Sequence, residues 1–166
     1  MTYELRHPAI LERDRLAPAL AALRESGKRI VFTNGCFDIL HPGHVDLLER
    51  AKAEGDVLIL GLNSDASVRR LGKGGDRPLN PYPVRAFVLA HLRAVDFVTG
   101  FEEDTPLELI RIIRPQVLVK GGDWLPEHIV GKDIVEEYGG RVLSLPLIDG
   151  YSTTALVRRI RASSSF

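Results

Sequence analysis

The sequence predicts a single-domain, doubly wound parallel α/β sheet of five strands. Three observations carry this expectation. Apolar runs with little polar character on either face recur along the chain, as strands covered on both sides require. Each run then ends in polar residues. Between the runs, apolar residues return every three or four positions, the period of a helix packed on one side.

Met1 to Arg13 is mixed and aperiodic, whereas Leu16, Leu20 and Leu23 fall at helical spacing and Gly27 stands where a glycine ends a helix. This amphipathic helix belongs on the outside of the sheet. Ile30-Val-Phe32 reads as the first strand, closed by Thr33, Asn34 and Gly35. Val45, Leu48 and Ala51 mark the next helix, with Pro42 in its first turn. Asp56 to Asn63 is the second strand. Ser67 to Pro83, carrying Arg69, Arg70, Lys73, Gly74, Gly75, Asp76 and Arg77, reads as a mobile basic loop and a candidate lid over phosphates. Val84, Val88 and Leu92 make a helical stripe with Arg85 on another side, and Val95 to Phe101 reads as a third strand broken by Asp96. Thr105 or Asp104 can cap a helix with Pro106 in its first turn and Leu109, Ile112 and Ile113 as its stripe. That helix must stop by Arg114, because Pro115 follows. Gln116 to Lys120 is a fourth strand, Ile129 to Tyr138 a helix ended by Gly139-Gly140, and Arg141 to Leu145 a fifth strand. A last helix runs from Ala155 to about Arg161, with Leu156, Val157 and Ile160 facing inward. The architecture is Rossmann-like, with helices on both faces, and residues 1–28 form a helical extension to a core at 29–161 of one domain spanning 1–166.

Composition excludes several classes of function. The 22 basic residues balance 22 acidic ones, so no global field recruits nucleic acid or an anionic membrane. Cys36 is the only cysteine, which excludes an intrachain disulfide and a cysteine-cluster metal site and fits a reducing compartment. It reads as a small residue in a crowded turn. No apolar run approaches a membrane span and the start lacks the order of a signal peptide, so the chain reads as cytoplasmic.

The most informative stretch is Thr33-Asn-Gly-Cys-Phe-Asp38 followed by His41-Pro-Gly-His44. A strand, a polar turn and a helix in that order place free N–H groups and a positive helix end at the carboxyl edge of the sheet, where phosphates bind. Two histidines three residues apart at that helix start can reach one phosphate. Asn63-Ser-Asp65, Lys120 to Trp124 and Ser152-Thr-Thr154 should meet the same edge. Imidazoles, amides, a lysine and hydroxyls suit a polyphosphate better than acyl or hydride transfer. Neither a Gly-x-Gly-x-x-Gly turn after the first strand nor a P-loop occurs. Asp65 reads equally as a helix cap, Lys120 and Arg85 also as solvated surface residues, and Trp124 as packing or as a stacking platform. His7, His91 and His128 have no motif around them.

These motifs resemble the signature of the cytidylyltransferase-like nucleotidylyltransferases. The resemblance covers Arg29 to Arg161. It sharpens at Asn63-Ser-Asp65, Arg77-Pro-Leu-Asn-Pro81 with Arg85 after it, Phe101 to Pro106, Val119-Lys-Gly-Gly-Asp123 and Gly150-Tyr-Ser-Thr-Thr154, which look like the heptose 1-phosphate adenylyltransferases. In many bacteria that activity is the second half of a two-part enzyme whose first half is a sugar kinase, and no kinase half is read here. Glycerol phosphate cytidylyltransferases show Arg-Thr before the Ser-Thr-Thr run, where this chain has Asp149-Gly-Tyr151.

What the resemblance implies is specific. His41 and His44 hold the nucleotide phosphates and the developing charge, with Lys120 as a third catalytic residue. Thr33, Asn34, Gly35, Phe37, Gly43, Arg85, Gly122, Asp123, Ser152, Thr153 and Thr154 bind nucleotide. Asp38, Asn63, Asp65 and Lys120 lie toward the second substrate. The implied reaction transfers AMP from ATP, accompanied by Mg2+ with protein ligands unassigned, to D-glycero-D-manno-heptose 1-phosphate. A cytidylyltransferase, or an adenylyltransferase for another acceptor such as glycerol 3-phosphate, is the alternative. Outside enzymes the alternative is a nucleotide-binding regulatory module, against which the intact clusters argue. The partners are ATP and a sugar 1-phosphate, with neither nucleic acid nor membrane, and a homo-oligomer, dimer or larger, is compatible.

Overall fold

The computed structural model describes residues 5–72, 77–122 and 124–163. Six parallel strands form one sheet: β1 (Ile10–Leu11), β2 (Ile30–Gly35), β3 (Val57–Asn63), β4 (Phe97–Phe101), β5 (Val117–Gly121) and β6 (Arg141–Leu145). Their order across the sheet is β1-β4-β3-β2-β5-β6. The helices are α1 (Arg13–Glu25), α2 (Pro42–Lys52), α3 (Asp65–Arg70), α4 (Tyr82–Ala90), α5 (Leu107–Ile113), α6 (Lys132–Glu137) and α7 (Thr153–Ser163), with one 3-10 turn at Pro126–His128.

Side chains on a strand alternate between faces, so each covered apolar run feeds two cores. Val31, Leu58, Leu60, Val117 and Val119 pack with Leu47, Leu48 and Ala51 of α2 and Ala86 and Leu89 of α4. Ile30, Phe32, Ile59 and Leu118 point the other way, onto Leu16 and Leu20 of α1, Leu109, Ile110 and Ile113 of α5 and Val135 of α6. From β2 the chain moves outward through β3 to β4, then returns to the other side of β2 for β5 and β6. The switch point is therefore between β2 and β5, and a crevice opens at their carboxyl ends.

Several elements differ from the expectation. The sheet has six strands rather than five, because Ile10 and Leu11 add a short edge strand in register with Val98 and Thr99. Two residues carry too little periodicity to announce a strand. The β4 strand starts at Phe97 because the Asp96 carboxylate accepts from the Leu58 N–H at 2.7 Å and from the Lys52 ammonium at 2.5 Å. Part of the expected basic loop is the helix α3, capped by Ser64. The rest of the candidate lid, 73–76, lies outside the described residues. In α4 the buried face is Arg85, Ala86, Leu89 and Ala90, while Val88 stays 43% exposed. Neither Asp104 nor Thr105 caps α5, since the cap position is Pro106 and Asp104 accepts from Arg70 at 2.7 Å. The α5 helix does end at Arg114, in the left-handed region. The α7 helix buries no residue, and Ile160, expected to face inward, is exposed.

Candidate active site

A polar cavity of about 350 Å3 opens at the switch point. Asn34 and Gly35 reach it from the end of β2, Lys120 and Gly121 from the end of β5, His41 and His44 from the start of α2, and Ser152, Thr153 and Thr154 from the start of α7. Leu47, Leu147 and Tyr151 add an apolar wall.

Pro42 opens α2 in its first turn, and His41 stands at its N-cap in extended conformation without a side-chain cap bond. The His41 imidazole thereby stays out of the capping role. The rings of His41 and His44 stack with centroids 3.8 Å apart and planes 22° apart. A side chain on Gly43 would place its Cβ 3.2 Å from His41 Nδ1, so this position keeps room for the ring. Burial pushes the His41 pKa below that of an ordinary histidine, and its Nδ1 has no hydrogen-bond partner among the described residues. Such a ring is neutral near pH 7.

The β2–α2 turn is held in an unusual shape. Phe37 adopts a left-handed backbone, with φ of 44°, a conformation that costs a bulky residue energy. Its ring lies 5.0 Å from that of His44. The buried Arg85 guanidinium donates to the Cys36 carbonyl at 2.7 Å, the Asn80 carbonyl at 2.9 Å and the Asp65 carboxylate at 2.7 Å. It thus ties the turn to α3 and to the segment before α4.

Asp38 is equally engaged. Its carboxylate accepts from Arg77 at 2.6 Å, from the Asn80 N–H at 2.9 Å and from the Leu79 N–H at 3.0 Å. Burial pushes its pKa up, yet these three donors outweigh burial and hold the carboxyl below the usual range.

Of the expected site residues, the cavity brings together Asn34, Gly35, Phe37, Asp38, His41, His44, Lys120, Ser152, Thr153 and Thr154. Others are placed behind it. Thr33 is fully buried in β2. Arg85 and Asp65 pair with each other instead of lining the cavity, and Asn63 donates to Ser67 Oγ at 2.9 Å. Gly122 makes the turn after β5 at φ of 116°, and its carbonyl accepts from Ser144 Oγ at 2.6 Å. Asp123 lies outside the described residues. At the last helix, Ser152 Oγ caps the Ala155 N–H at 3.0 Å and Thr153 Oγ1 lies 3.4 Å from the Ile39 carbonyl.

Sequence reasoning left Arg77 in the loop, but it lines the cavity. Its carboxylate partner, Asp38, lies 39 residues away. Trp124 also lines the cavity, with the Lys120 ammonium 5.7 Å from its ring centroid.

A family model described as cytidylyltransferase-like matches residues 32–165. The bifunctional protein HldE of Geotalea uraniireducens is 58% identical over 151 residues, 91% of this chain and 31% of the relative. That of Gluconacetobacter diazotrophicus is 53% identical over 158 residues, 95% of this chain and 32% of the relative. The chain thus spans about a third of the length of these curated relatives. Among solved structures, a lipopolysaccharide core biosynthesis protein from Thermoplasma volcanium superposes with a TM-score of 0.60 at 24% identity, covering 76% of this chain and 100% of that one. A pantoate-beta-alanine ligase from Francisella tularensis gives a TM-score of 0.60 at 16% identity over 92% of this chain and 76% of that one. At those identities the likeness concerns the fold.

Proposed function

This chain belongs to the cytidylyltransferase-like family, and on that premise we propose a nucleotidyltransferase that moves AMP from ATP onto D-glycero-D-manno-heptose 1-phosphate, giving ADP-heptose and pyrophosphate. The observation that carries the reading is the convergence of two stacked histidines, a lysine and three hydroxyl residues on one cavity at the switch point. The heptose acceptor is supported by the sequence motifs and by 58% identity to a bifunctional protein HldE.

In this reaction an oxygen of the acceptor phosphate attacks the α-phosphorus of ATP. A new P–O bond forms as the bond to the α,β-bridging oxygen breaks, and pyrophosphate leaves with the electron pair. The acceptor phosphate has a second pKa of about 6 and is already anionic near neutral pH, so no general base is required. The protein's task is alignment, relief of repulsion and stabilisation of the departing oxygen. His41 and His44 donate ring N–H groups to the nucleotide phosphates, and Thr153 and Thr154 meet the β and γ phosphates at the start of α7. Lys120 adds a positive charge at the end of β5. Residues 29–161 act as the catalytic core.

Magnesium enters this scheme with the triphosphate. Among the described residues no cluster of three or more His, Cys, Asp or Glu can hold a metal, and Asp38 is already occupied by Arg77, Leu79 and Asn80. The reading places the enzyme in the cytoplasm with its substrates. No described helix is long and apolar enough to cross a membrane.

The test is pyrophosphate release across a panel of nucleoside triphosphates and phosphorylated acceptors. Release is expected from ATP only when heptose 1-phosphate is present. Faster turnover of CTP with glycerol 3-phosphate would replace the base and acceptor while leaving the reaction class intact.

A further inference from the structure

We propose that Arg77, held in place by Asp38, binds the phosphate group of the acceptor. The inference rests on the nucleotidyl-transfer reading above and adds to it the site of the second anion. That reaction brings two phosphate-bearing substrates into one cavity, and each anion needs its own cationic or N–H partners. His41, His44 and the start of α7 are committed to the triphosphate.

Two strong cations among the described residues line the cavity, Lys120 and Arg77. They are held differently. The Lys120 ammonium sits over the Trp124 ring at the end of β5. The Arg77 side chain is only 11% exposed and donates through Nη1 to Asp38 at 2.6 Å. Its Nε and Nη2 donors make no hydrogen bond to another described residue. A guanidinium has five N–H groups in a rigid fork, so fixing one corner leaves a second edge that can engage a phosphate through two parallel bonds.

Asp38 is the positioning residue that sets this edge. It cannot swing away, because the Leu79 and Asn80 N–H groups hold its carboxylate and the Asn80 side chain donates to its carbonyl at 2.7 Å. Arg85 in turn holds the Asn80 carbonyl. The buried network behind the cavity therefore ends on the Arg77 guanidinium at the cavity wall.

Initial rates with each substrate varied test the assignment. Arg77→Ala should raise KM for the acceptor about tenfold or more, as loss of a charged bidentate contact predicts, and change KM for ATP less than about twofold. At saturating acceptor, kcat should stay close to that of wild type. Arg77→Lys keeps the charge without the fork and should fall between. Asp38→Asn should raise the same KM by less, and should add nothing in the Arg77→Ala background. Equal rises in both KM values, or a rise confined to ATP, would overturn the proposal. If Arg77→Ala shows no cooperative thermal transition, Arg77→Lys and Arg77→Gln carry the comparison. A wild-type preference for another phosphorylated acceptor would sink the heptose reading alone, and Arg77 would be measured with that acceptor. If wild type turns over no acceptor, calorimetry of inorganic phosphate on protein saturated with a non-hydrolysable ATP analogue decides. Binding lost in Arg77→Ala supports the site, and unchanged or undetectable binding in both proteins overturns it.

Discussion

On the proposed reading, two stacked imidazoles serve a departing anion only if they are not both cationic beforehand. Rings 3.8 Å apart would repel as imidazolium ions, and burial lowers the His41 pKa. A neutral ring donating one N–H favours the bridging oxygen more as its charge grows than it favours the ground-state triphosphate. Changing either His41 or His44 to Ala should lower kcat about a hundredfold or more, about 2.7 kcal/mol, while ATP binding weakens far less. Equal losses in calorimetric affinity and in kcat would show ground-state ligands instead. The lowered His41 pKa also links stability to pH. Between that lowered value and the ordinary one near 6.5, the unfolded chain binds more protons than the folded one. The free protein should therefore lose stability as pH falls through this window. Urea unfolding of wild type and of His41→Gln at pH 8 and at pH 5 checks the sign, since the variant should lose less stability on acidification. An equal or greater loss in the variant would contradict it.

At the scale of elements, the strands that cross the middle of the sheet were legible because burial on both faces writes a continuous apolar run. Ile30 to Phe32 and Val57 to Leu62 could hardly be anything else. Elements held by tertiary contacts were not. The α4 helix hides Arg85 on its buried face, since the guanidinium meets the Asp65 carboxylate and two carbonyls there. A stripe drawn through Val84, Val88 and Leu92 assumes that only apolar residues go inside, yet Val88 is exposed while Arg85 is buried. The opposite error befell α7, where Leu156 and Val157 of the expected stripe are half-buried but Ile160 is exposed. The site divides along the same line. The His41 to His44 run was legible because a motif's spacing is local. The partnership of Asp38 with Arg77 was not, because it is made across 39 residues.

At the scale of the molecule, strand order turns distant stretches of sequence into one site. The switch between β2 and β5 brings Asn34 beside Lys120, and the chain after β6 carries Thr153 and Thr154 to the same cavity. A triphosphate there would contact elements from both halves of the sheet, so its binding free energy adds to global stability. At a concentration a hundredfold above Kd the gain is about 2.7 kcal/mol. For a chain of this size that corresponds to roughly 5–10 °C in Tm. The start of α7 offers a clean way to apportion the gain. Ser152 already serves as its cap, so Thr153→Val with Thr154→Val removes two hydroxyls, keeps the shape and leaves the cap bond in place. The double variant should unfold near the wild-type temperature without ligand. With AMP its shift should match wild type, because on the proposed reading the α-phosphate lies at the histidines, whereas with ATP most of the additional shift should disappear. Thermal unfolding with each nucleotide, confirmed by calorimetric titration, measures both. A loss of equal size for AMP and ATP would remove these threonines from the β and γ phosphates and leave them as ordinary first-turn residues of α7.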